Sequence, residues 1–208
     1  MYKDTKTVIL SPSANKAILE FNTYNMLKNN GFDCQFIVSD LCGKSFYQTQ
    51  NSNENPNFIF IKENLNAKNI NLSNKVDIII DLKGAIWYSL NAKPKVTRCK
   101  QFLEILEVYA KNMKNDNSLL IVDAYEINNK TYMFKNFLKY RLGIQEKKSL
   151  KVQHEEKSTF YYINNFLNKK KITNLFIENK KDINSTIHIA YIQKDNLLKI
   201  IEKIKNNA

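Results

Sequence analysis

Short apolar runs recur along the chain between polar breaks, and their internal spacing alternates between two periods. Thr7–Leu10 (TVIL), Phe32–Ser39 (FDCQFIVS), Phe58–Lys62, Val76–Ile80 (VDIII) and Leu119–Val122 (LLIV) are β-branched or aromatic runs of strand length. Between them the spacing changes to that of a helix. Ala17–Asn29 carries Ile18, Leu19, Phe21, Tyr24, Met26 and Leu27, and Asn30-Gly31 then supplies a helix stop. Lys95–Lys114 sets Cys99, Phe102, Leu103, Leu106, Tyr109, Ala110 and Met113 on one side. Thr131–Leu142 is helical and closes at Gly143.

The opening strand, broken by Ser11-Pro12-Ser13, with its helix and the strand Phe32–Ser39, forms a βαβ unit, a crossover that is nearly always right-handed. VDIII is almost continuously β-branched, the signature of a strand buried on both faces. Leu41–Asn57 is a long polar loop. Beyond it, Ser158-Thr159 is placed to cap a helix running to about Asn168. Ile172–Ile177 and Thr186–Ile192 then read as two strands joined by the polar loop Glu178–Ser185, an antiparallel pair, before a final amphipathic helix over Leu197–Ile204. The expected fold is α/β: a Rossmann-like three-layer sandwich, a mostly parallel sheet with a closing antiparallel strand pair, in a single domain over residues 1–208.

Four of the strand-like runs end on an acid: Asp40, Glu63, Asp81 and Asp123. In an open parallel sheet the carboxyl ends of the strands line the ligand crevice, where carboxylates can accept hydrogen bonds from ribose hydroxyls or amines. Asp is also a common turn former after any strand, so each acid has a structural reading beside the functional one.

Composition narrows the picture. At 43% hydrophobic and 12% aromatic residues, the chain has material for a real core. No run approaches the roughly 20 apolar residues of a membrane span, and a cytoplasmic protein is expected. Cys34, Cys42 and Cys99 form no CxxC pair, and with His154 and His188 as the only histidines no metal site is expected. The net charge of +12 is compatible with an RNA partner, but the lysines are scattered and no nucleic-acid motif accompanies them.

The order of elements resembles that of class I S-adenosylmethionine-dependent methyltransferases. The segment Phe58–Leu65 with Asn71-Leu72-Ser73 and Val76–Asp81 resembles that family's third-strand acid, short polar loop and fourth strand. Phe102–Met113 followed by Asn117–Asp123 resembles its next helix, tight turn and fifth strand. One departure stands out: the loop after the first strand, usually glycine-rich there, is here Ser11-Pro12-Ser13-Ala14-Asn15-Lys16, small but glycine-free.

The resemblance implies roles position by position. Ser11, Ser13 and Asn15 would surround the amino-acid end of S-adenosylmethionine, Asp40 would hold the ribose, and Glu63 with Asn64 would meet the adenine. Asp81, Lys83, Gly84, Trp87 and Tyr88 would lie between cofactor and acceptor, with Asp81 counted among the cofactor-binding residues and Lys83, Trp87 and Tyr88 among those binding the substrate. Trp87 has a plain alternative, the anchoring of a helix start. His154, Asp123 and Tyr125 are the candidate catalytic groups. The implied reaction is O- or N-methyl transfer to a small molecule. Two rivals stand beside it: an NAD(P)-dependent reductase, which also wants a Gly-rich turn and a Tyr-x-x-x-Lys pair that occurs only as Tyr24–Lys28, and a degenerate Rossmann-like binding module without catalysis.

Overall fold

A computed structural model describes residues 6–12, 17–39, 55–61, 70–82, 84–91, 95–124, 158–172, 178–181 and 188–206. In chain order the elements are β1 (Thr7–Pro12), α1 (Ile18–Asn29), β2 (Cys34–Ser39), β3 (Phe58–Ile61), β4 (Ile78–Asp81), α2 (Ala85–Asn91) and α3 (Lys95–Asn112). They continue with β5 (Leu119–Asp123), α4 (Thr159–Lys169), β6 (Glu178–Lys181), β7 (His188–Gln193) and α5 (Lys194–Asn206). The expected helix Thr131–Leu142 and nearly all of the Leu41–Asn57 loop lie outside the described residues.

The strands form one sheet in the order β3-β2-β1-β4-β5-β7-β6. β1 to β5 are parallel to one another, and β7 runs antiparallel between β5 and β6. The order reverses between β1 and β4, because β1 pairs with β2 on one side and β4 on the other. Such a reversal opens a crevice at the carboxyl edge.

Alternation along the strands sorts side chains to two faces. Ile9, Phe36, Val38 and Phe58 pack with Ala17 and Tyr24 under α1. Leu10, Ile37, Ile79, Leu120 and Val122 pack on the opposite face, against Ile86 and Leu90 of α2, Phe102, Leu106 and Tyr109 of α3, Ile163 of α4, and Leu197, Ile200 and Ile204 of α5. The smaller face is aromatic: Tyr24 and Phe58 meet edge to face with ring centroids 5.7 Å apart, and Phe36 stacks on Phe58. Burying each side chain of this size stabilises the fold by about 1.5–3 kcal/mol.

Two expectations need correction. Ser11-Pro12 does not break the first strand, which runs on through Pro12 in register with Ser39. Pairing of β1 with β4 covers only Ile9 and Leu10, so Pro12 sits where the ladder on that side has ended, a position a strand proline tolerates. A strand forms at Glu178–Lys181, within what reads as a loop, while residues 173–177 of the expected strand Ile172–Ile177 lie outside the described residues. Ile172 instead closes α4. Lys171 adopts a left-handed φ of 57°, its N–H donates to Asn168, and the Ile172 N–H donates to Leu167 at 2.9 Å. That is a Schellman stop with the buried Ile172 as its hydrophobic residue. Helix α1 ends the same way, with Gly31 at φ 79° and the Phe32 N–H donating to Leu27.

Candidate ligand crevice at the carboxyl edge of the sheet

Because β1 to β5 run parallel, Pro12, Ser39, Ile61, Asp81 and Asp123 end at one edge. Asp81 closes β4 there and is completely buried, with 0% of its surface exposed. Its Oδ1 accepts from the Gly84 N–H at 2.9 Å. Its Oδ2 accepts from the Ile86 N–H at 3.1 Å and from the Tyr109 hydroxyl at 2.6 Å. The carboxylate thus holds the turn into α2 and ties it to α3. Burial pushes its pKa up to about 6 against the lowering effect of these donors, and Asp123 raises it slightly further. Burial and the neighbouring Asp81 charge push the Tyr109 hydroxyl well above its usual value. Gly84 has no room for a side chain: a Cβ there would meet Asp81 Oδ1 at 2.5 Å and the Pro12 carbonyl at 3.3 Å.

Asp123 does the corresponding work one strand over. Its carboxylate accepts from the Thr159 N–H at 3.1 Å and from the Thr159 hydroxyl. Ser158 caps the same helix, its hydroxyl accepting from the Tyr161 N–H at 3.2 Å. The two strand-end acids therefore pin the N-termini of α2 and α4 to the same edge.

At the end of β1, the buried Ser11 hydroxyl donates to Glu20 Oε1 at 2.9 Å. Glu20, itself buried, reaches the strand end from the first turn of α1. Ala17, just before that helix, takes a left-handed φ of 53° and ψ of 23°, and the helix start carries no side-chain cap. A positive φ at Ala17 supplies locally the kind of turn that a glycine would provide.

Trp87 and Tyr88 lie in the first turns of α2, Trp87 half-buried and Tyr88 exposed. Their rings meet edge to face at 5.1 Å, and Trp87 meets Tyr162 of α4 in the same way at 6.1 Å. Ser13, Asn15, Asp40, Glu63, Asn64, Lys83, Tyr125 and His154 lie outside the described residues. Among the expected site residues, then, the edge brings together Ser11, Asp81, Asp123, Trp87 and Tyr88. Glu20, Tyr109 and Tyr162 join them with no sequence signal beyond their helical patterns, and Thr159 joins from the helix start that Ser158-Thr159 marks. No group of three His, Cys, Asp or Glu side chains that could hold a metal occurs among the described residues. No helix among them is long and apolar enough to cross a membrane.

No protein-family model matches the chain, and no curated protein matches it in sequence. Solved structures do match. The S-adenosylmethionine-dependent methyltransferase SibL is 10% identical with a TM-score of 0.53, over 90% of this chain and 50% of SibL. The CMeT domain of the citrinin polyketide synthase is 10% identical with a TM-score of 0.52, over 90% of this chain and 47% of the other. The mitomycin 7-O-methyltransferase MmcR is 11% identical with a TM-score of 0.51, over 90% of this chain and 49% of the other. The chain spans about half the length of these neighbours. Its sheet order, its antiparallel β7 and these likenesses together give it the class I methyltransferase fold.

Proposed function

We propose that the protein transfers a methyl group from S-adenosylmethionine to a small-molecule acceptor bound at the carboxyl edge of the sheet. The observation that carries this reading is the sheet order, which reverses between β1 and β4 and so opens the edge beside Ser11 and the start of α1. The described residues there fit the cofactor: Ser11 is small and turned onto Glu20, Ala17 takes the positive φ, and the α1 start has no side-chain cap of its own. S-adenosylmethionine, when bound, supplies an electrophilic methyl group.

In this reading Ser11, Ser13 and Asn15 hold its amino-acid end, Asp40 its ribose hydroxyls, and Glu63 with Asn64 its adenine. Asp81 acts behind the site, fixing the turn that carries Lys83 and Gly84 and the helix that carries Trp87 and Tyr88. Lys83, Trp87 and Tyr88 face the acceptor. His154, Asp123 and Tyr125 are the groups to take a proton from it, and much of the rate comes from positioning.

One observation favours a second reading, a binding module without catalysis. Both described strand-end acids, Asp81 and Asp123, are engaged by protein donors.

Thermal-shift and calorimetric titrations with S-adenosylhomocysteine, with NADP for comparison, separate the readings. Stabilisation by S-adenosylhomocysteine alone supports methyl transfer. Stabilisation by neither ligand supports the binding module, and stabilisation by NADP alone a nicotinamide enzyme.

A further inference from the structure

Among the described residues, four aromatic rings form an unbroken edge-to-face row at two helix starts beside the carboxyl edge of the sheet. Tyr88 meets Trp87 at 5.1 Å and 88°, Trp87 meets Tyr162 at 6.1 Å and 90°, and Tyr162 meets Tyr161 at 5.6 Å and 85°. Two rings come from the start of α2 and two from the first turn of α4. The helix starts are the ones pinned by Asp81 and Asp123 at neighbouring strand ends. The middle of the row is half-buried and its ends are open: Tyr88 is 63% exposed and Tyr161 41%.

This placement is unlike a core aromatic cluster. The rings that pack the core, Tyr24, Phe36, Phe58 and Phe102, are sealed from solvent. Here two large rings stand partly in water. Perpendicular packing fixes the row as a rigid rim, so presenting it to a ligand costs little side-chain entropy.

We infer that Tyr88, Trp87, Tyr162 and Tyr161 form the acceptor-binding platform, and that it selects a flat aromatic molecule over a saturated one of the same charge. The inference rests on the methyl-transfer reading for the word acceptor, but the platform itself does not need it. Tyr88 and Tyr161 set the specificity, and Trp87, the only tryptophan of the chain, reports on occupancy.

The test uses two probes of the same charge: 2-naphthoate, which is flat, and its saturated counterpart decahydro-2-naphthoate. Binding is read by calorimetry and by Trp87 emission, with and without S-adenosylhomocysteine. Naphthoate is expected to bind saturably and roughly tenfold more tightly than the saturated probe, since one good ring contact is worth about a factor of ten. Tyr88→Ser and Tyr161→Ser should each weaken it severalfold, while Tyr88→Phe and Tyr161→Phe, which keep the ring, should not. Equal binding of the saturated probe, or serine variants that bind like the parent, would each overturn the platform. So would competitive displacement by S-adenosylhomocysteine, which would assign the rings to the cofactor. Stabilisation by S-adenosylhomocysteine without probe binding removes the platform and leaves methyl transfer standing. Probe binding without that stabilisation does the reverse.

Discussion

A carboxylate sealed from water weighs against folding, and Asp81 carries that weight at the end of β4. Its pKa in the folded protein is raised from 3.8 to about 6, chiefly by burial. The favourable contribution is therefore complete below the unfolded value, where both states hold the proton, and is lost as pH rises through the folded value. The size is on the order of 3 kcal/mol, from a shift of about two pKa units. Denaturant titrations between about pH 4 and pH 7 should show the parent losing stability relative to Asp81→Asn across that window. Parallel profiles would mean that the sealed carboxyl is not the source. Gly84 shares the constraint: Gly84→Ala should destabilise by about 1–3 kcal/mol, because the new methyl meets Asp81 and the β1 carbonyl together. An unchanged melting temperature would show that the turn can move. Sequence made Asp81 visible as a strand-end acid but not its partner, because Tyr109 lies 28 residues away on a helix where its position reads only as core.

Among the elements, helix stops separate what could be read from what could not. The Asn30-Gly31 stop of α1 was legible because glycine takes a φ of 79° without steric cost. The stop of α4 was not, because Lys171 occupies the equivalent place and nothing in its chemistry advertises a left-handed φ. The apolar residue after it, Ile172, therefore reads as the start of a strand although it closes the helix. Relieving the strain gives a direct check. Lys171→Gly should stabilise by about 1 kcal/mol and raise the melting temperature by about 2–4 °C. Gly31→Ala, with no atom within 4 Å of the added Cβ, should lower stability by about 1 kcal/mol through backbone strain alone. If Lys171→Gly were neutral or destabilising, the left-handed stop would not be the feature that ends α4. The parallel strands were legible for the opposite reason. LLIV is apolar throughout, and VDIII is apolar but for Asp77, because both faces of the sheet are covered, and that pattern needs no knowledge of the partner.

For the whole molecule, the sheet order ties stability to ligand binding. A ligand that binds only the folded state at about 100 times its Kd adds about 2.7 kcal/mol, which in a chain of this size raises the melting temperature by roughly 5–10 °C. S-adenosylhomocysteine should give that shift and NADP should not; equal shifts would sink the cofactor assignment. Layout was readable because five strands and their crossovers leave few ways to pack. The platform was not, because Trp87 and Tyr162 meet across two helices that only the folded sheet brings together.

The antiparallel strand has a consequence for how the protein is made. β7 fills the slot beside β5, pairing Leu119 with Gln193 and Asp123 with Ile189, and α5 then seals the core with Leu197, Ile200 and Ile204. On a translating ribosome β5 emerges long before that partner exists. Until residues near 204 have left the exit tunnel, the nascent chain carries a bare apolar strand edge beside an uncovered core face. β7 and α5 follow every parallel strand in the chain, so a messenger truncated before α5 would yield a product for chaperones and proteases to clear.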